Sequence, residues 1–189
     1  MDNSAPATIR RRRAVGLPAS GLLAIAFAAT AAAAPHQHGV ATLALALDGG
    51  QLRAELSLPA RDAVGFERRP RNDAERGKLA AARDRLADGA TLLGLPSAAR
   101  CAASAPAEIR SELLGPAPAP GGHKHAHDDE HADFDVVYAF VCAEPGALSG
   151  LEPALFKSFP GLKQIRVQSI GPKGPKRATI TPARARFDF

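Results

Sequence analysis

The chain has no tryptophan, one tyrosine, one methionine and only two cysteines in 189 residues. Two cysteines exclude a multi-thiolate cluster and leave at most one disulfide, Cys101 with Cys142. An isolated pair in an oxidising compartment reads as a disulfide; two zinc thiolates are the other reading, and no histidine flanks either cysteine. There is no H-E-x-x-H, no G-x-S-x-G and no phosphate-cradling glycine loop, so the chain carries none of the common signatures of a metalloprotease, a serine hydrolase or a nucleotide enzyme. Long apolar runs are also missing beyond the first thirty residues, so no later segment is long enough to span a membrane, which takes about 20 residues.

That first stretch reads as an export address. Arg10 to Arg13 form a basic start, Ala14 to Ala29 are apolar and uncharged, and Ala29 to Ala33 offer small-x-small cleavage sites. Cleavage is expected near Ala33, defining residues 1–33 as a signal peptide. An uncleaved membrane anchor is the alternative. Removal of the signal takes four of the 24 basic residues and one of the 19 acidic ones, leaving a net charge of +2 instead of +5. The high pI is thus partly a property of the precursor, and no nucleic-acid partner is called for. About 156 residues remain, enough for one domain, 34–189, with one core.

The patterns along that domain predict an α+β fold: an antiparallel sheet of about six strands, with two short helices packed on it and a disordered His-rich loop. Val40 to Leu47 and Leu52 to Leu58 alternate around Asp48-Gly49-Gly50, the pattern of a β-hairpin. Arg61 to Arg71 reads as a charged loop. Asn72 and Glu75 resemble a capping box that starts a helix through Leu79, Ala82 and Leu86, with Gly89 able to end it. Strands are expected at Cys101, around Ile109 to Leu114, at Phe134–Cys142, Ile165–Ile170 and Arg177–Ile180. A second capping box at Ser149 and Glu152 predicts another short helix, and Phe187 and Phe189 are placed to seal the core. Residues 115–131 form a Pro/Gly- and His-rich loop.

The histidines carry the chemistry. All six lie in two tracts: His36 and His38 at the expected mature start, and His123, His125, His127 and His131 in the central loop. Alternate residues of an extended chain point to one side, so H-x-H spacing presents several imidazoles together. Imidazole suits Zn²⁺, which takes four ligands from histidine, cysteine and carboxylate, and Asp128, Asp129 and Glu130 add negative charge, with Asp128 and Glu130 the candidate oxygen donors. Nickel and copper fit such tracts as well. Copper is weakened in one respect: cleavage after Ala33 puts His36 at position three but Pro35 at position two, where the amide nitrogen of an N-terminal copper clamp would be needed. Ligands on tracts of this kind preorganise poorly for catalysis, so an enzyme is not expected.

The segments His36-Gln37-His38-Gly39-Val40-Ala41-Thr42-Leu43 and Leu58-Pro59-Ala60-Arg61-Asp62-Ala63-Val64-Gly65-Phe66-Glu67, and the order Cys101, histidine tract, Cys142, resemble the ZrgA-type periplasmic zinc-binding proteins. The resemblance covers nearly all of the expected mature chain. It implies a periplasmic Zn²⁺-binding component feeding the permease of an inner-membrane ABC importer. The family usually reads His-Glu-His-Gly where this chain has Gln37, and Gly-Phe-Glu-His where it has Arg68. Glu67 is then expected either to touch metal or to pair with Arg68 or Arg69. A general divalent-metal sponge or metallochaperone without a dedicated transporter is the competing expectation. Oligomeric state is left open by the sequence.

Overall fold

The computed structural model describes residues 37–115 and 132–189. Nine strands and four short α-helices follow one another among them: β1 (Val40–Asp48), β2 (Gln51–Pro59), α1 (Ala60–Val64), α2 (Asp73–Ala87), α3 (Gly89–Leu93), β3 (Cys101–Ala103), β4 (Glu108–Arg110), β5 (Asp133–Cys142), β6 (Gly150–Leu151), α4 (Leu155–Ser158), β7 (Gln164–Ile170), β8 (Lys176–Ile180) and β9 (Phe187–Asp188). Seven strands form one sheet in the order β3-β5-β2-β1-β7-β8, with β4 also paired to β5, and β6 and β9 form a separate pair. The α+β class therefore holds, with more strands and more helices than the periodicity predicted, and the stretch expected to run to Leu114 ends as a strand at Arg110, with Glu112–Leu114 a 3-10 turn.

The predicted hairpin forms at Asp48–Gln51, where Gly49 and Gly50 both take positive φ. The long strands β1, β2, β5 and β7 alternate. Leu43, Leu45, Leu52, Ala54, Leu56, Leu58, Phe134, Val136, Tyr138, Phe140, Ile165 and Val167 are buried on one face. Thr42, Glu55, Asp135 and Arg166 face away from it, exposed. Onto the buried face pack Leu79, Ala82 and Leu86 of α2, with Leu92, Leu93, Leu151, Leu155 and Phe159. Burying that apolar surface stabilises the domain at about 25 cal/mol per Å².

The sheet is mixed, not purely antiparallel, because β1 and β7 run parallel. The cause lies in the connection from Cys142 to Gln164. It crosses the length of the sheet before β7 begins, so β7 starts at the same end as β1. Three further expectations are corrected. The helix predicted from Ser149 is a strand at Gly150–Leu151 paired with Phe187–Asp188, and α4 begins only at Leu155. Pro153 biases Glu152 away from helical angles, which removes the capping box. Gly89 opens α3 instead of closing α2; a Cβ there would lie 2.3 Å from the Tyr138 ring, so its smallness serves packing. The charged stretch after Arg61 is partly helical, as α1. Asn72 caps α2 as predicted, its side chain accepting from the Glu75 amide at 2.9 Å. Phe187 is buried and Phe189 rests edge-on against it, ring centres 5.7 Å apart.

Candidate metal centre

Of the predicted ligands, His38 alone lies among the described residues. His36, His123, His125, His127, His131, Asp128 and Glu130 fall outside them, so the structure does not bear on where those side chains sit. Among the described residues, no three His, Cys, Asp or Glu side chains gather as a metal cluster.

A turn precedes β1, with the Val40 amide donating to the Gln37 carbonyl at 3.0 Å. Gly39 takes φ +79, and a Cβ at this position would sit 2.8 Å from Lys163 Cγ. Only glycine fits that conformation and that approach without strain. The Gly39 amide donates to Asp62 Oδ2 at 2.6 Å, and its carbonyl accepts from the Lys163 and Gln164 amides at 2.8 and 3.0 Å. Arg166 on β7 donates to the Gln37 side chain at 2.8 Å. The backbone after His38 is thus tied to α1 and to β7, and the Gln37 side chain before it to β7. Its ring contacts Glu67, with Nε2 2.8 Å from Oε1.

Glu67 is held from its own side. Gly65 closes α1 in the left-handed conformation, its amide bonded to the Arg61 carbonyl at 2.9 Å. Phe66 then turns into the core. The Arg68 guanidinium lies over the Phe66 ring at 5.5 Å. It forks onto both oxygens of Glu75 at 2.8 Å each and donates to the Arg69 carbonyl at 3.0 Å. Arg68 thereby holds Glu75 well down, at about 2, with the Arg71 amide adding to the effect. Of the partners expected for Glu67, Arg68 is committed to Glu75, and His38 is the contact that sequence reasoning missed. The two residues are 29 apart, and no local pattern joins them. The available signal was two carboxylates, Asp62 and Glu67, around Val64-Gly65-Phe66.

The same segment gathers the points where the described chain meets the histidine tracts. Arg69 donates to the carbonyl of Gly115, the last described residue before 116, at 2.6 Å. The Ala60 amide donates to the carbonyl of Ala132, the first described residue after 131, at 2.8 Å. The neighbouring register pairs Pro59 with Asp133. Strands β1 and β5 flank β2, so the starts of β1 and β5 stand two strand spacings apart, about 10 Å, at one end of the sheet.

A disulfide joins Cys101 to Cys142, which stand opposite one another between β3 and β5. That decides between the two readings of the cysteines, in favour of the disulfide. Among the described residues no helix is long and apolar enough to cross a membrane. No match is found among curated proteins. A family model described as "ZrgA family zinc uptake protein" matches residues 35–189, and its description is of uptake, not of a catalysed reaction. This chain belongs to the ZrgA family of zinc uptake proteins.

Proposed function

We propose that the chain is exported to the periplasm, loses residues 1–33, captures or buffers Zn²⁺ there and supplies it to the permease of an inner-membrane ABC importer. The ligands in this reading are His36, His38, His123, His125, His127 and His131, with Asp128 and Glu130 as oxygen donors. Imidazole and carboxylate suit Zn²⁺. The disulfide fits an oxidising compartment.

One observation carries the reading: Gly115, Ala132 and His38, where the described chain meets both histidine tracts, all border the segment from Ala60 to Arg69. Two sets of imidazoles rooted within about 10 Å of each other can share one ion, whereas tracts rooted at opposite ends of the sheet would need a long, entropically costly reach. His36, His38 and His131 adjoin this anchored end and form the fixed part of the proposed site; His123, His125 and His127 complete it or pass metal to it.

Deletion of the gene, followed by growth in zinc-depleted medium, tests the transport role. The expected outcome is a growth defect and low cellular zinc, both restored by added zinc. Normal growth with normal zinc content would replace the importer partnership with metal storage by a general sponge.

A further inference from the structure

We propose that Glu67 is a positioning residue for metal capture at His38: it holds the imidazole in the Nε2–H tautomer, so that Nδ1 is the nitrogen offered to zinc. This rests on the zinc reading of His38 above and specifies the chemistry at that ligand.

The contact is 2.8 Å between Nε2 and Oε1. An ionised carboxylate has lone pairs and no hydrogen to give, so Nε2 is the donor. Neutral imidazole carries one N–H, so the ring's lone pair then lies on Nδ1. Burial runs the same way: the Glu67 side chain is 17% exposed and that of His38 46%. The carboxylate is the inner partner, and the ring is the one that solvent and cargo reach.

The carboxylate is also mounted as a fixed reference. Its neighbours in sequence are Phe66, in the core, and Arg68, which is locked onto Glu75, the Arg69 carbonyl and the Phe66 ring. On the other side Asp62 pins the backbone of Gly39. Both ends of the hydrogen bond are therefore preset before any metal arrives. A carboxylate on the far nitrogen of a ligating histidine fixes the ring and raises its basicity, and its loss typically weakens metal binding 10–100-fold.

The test uses the purified protein, uniformly ¹⁵N-labelled, with zinc chloride as the probe and His38→Ala to assign the His38 ring signals. Long-range ¹H–¹⁵N correlations report the tautomer. The metal-free ring is expected to carry its proton on Nε2, and zinc is expected to shift Nδ1 while Nε2 keeps its proton. Glu67→Gln, which keeps an acceptor oxygen, should lose less zinc affinity than Glu67→Ala, for which a 10–100-fold loss is expected. A metal-free ring protonated on Nδ1, zinc on Nε2, or equal losses in Glu67→Gln and Glu67→Ala would each overturn the positioning role and point to Glu67 as a direct ligand or a bystander. Unchanged zinc affinity in His38→Ala is a separate result, which removes His38 from the zinc site and the proposal with it. The tautomer and the nitrogen that meets zinc are read on the unsubstituted protein, so the test stands even where Glu67→Ala folds poorly.

Discussion

At Glu75 three donors converge on one side chain: two from the Arg68 guanidinium and one from the Arg71 amide, while its own amide is taken by the Asn72 cap. Its folded-state value, about 2, lies below the ordinary carboxylate value of 4.5. A depressed carboxylate stabilises the fold fully above its unfolded value and loses that contribution as pH falls through the folded one. The stabilisation from Glu75 is therefore complete at neutral pH and fades between about pH 4.5 and 2. Glu75→Gln should lower the thermal midpoint at pH 7 and flatten this part of the acid limb, as measured by melting curves at stepped pH; parallel acid limbs for both proteins would contradict the assignment. Tyr138 shows the apolar counterpart. Its hydroxyl is buried beneath α2, donates to the Leu86 carbonyl at 2.8 Å, and titrates well above its usual value because burial disfavours the phenolate. Tyr138→Phe leaves that carbonyl without its donor and should cost about 1–2 kcal/mol in urea unfolding.

At the scale of elements, β5 is the hub. It pairs with β2 along nine residues and with β3 and β4 on its other edge, and it buries Phe134, Val136, Tyr138, Phe140 and Cys142. The disulfide ties the short, otherwise weakly held β3 to its end and closes a loop with a sequence separation of 41. On the chain-entropy account a loop of that length is worth about 4 kcal/mol. The double variant Cys101→Ala/Cys142→Ala should lose stability of that order in denaturant titration, and thiol counting on unreduced, unfolded protein should find none. The proposed division between anchored and outlying histidines is tested by deleting residues 122–130 and, separately, by replacing His36 and His38 together with alanine. The double alanine variant is expected to lose the tightest zinc site, and the deletion to lose capacity while keeping it. The reverse pattern would make the central tract itself the primary site.

At the scale of the molecule, six histidines and three adjacent acids exceed the four ligands of one zinc. Calorimetric titration should show more than one zinc per chain, with one tighter site; a single stoichiometric event would mean that the two tracts act as one site only. The described residues use their helices to cover one face of the sheet. The described chain meets both histidine tracts at one end of that sheet, at His38, Ala60 and Ala132.

The hairpin, the cap at Asn72 and strand β5 were legible in the sequence, because alternation and capping are local patterns carried by adjacent residues. So was the family, through its short motifs. Tertiary structure decided what depends on residues far apart. The parallel β1–β7 pairing comes from the chain crossing back along the sheet after Cys142. The strand at Gly150–Leu151 exists because the C-terminal residues Phe187 and Asp188 pair with it, overriding a local helix signal. Gly89 is small because of Tyr138. The contacts of His38 with Glu67, and of Gly39 with Asp62, join positions 29 and 23 apart. No periodicity encodes such pairs: they arise only when β1 and α1 are brought to the same end of the sheet, and the hydrogen bonds then choose their partners by distance.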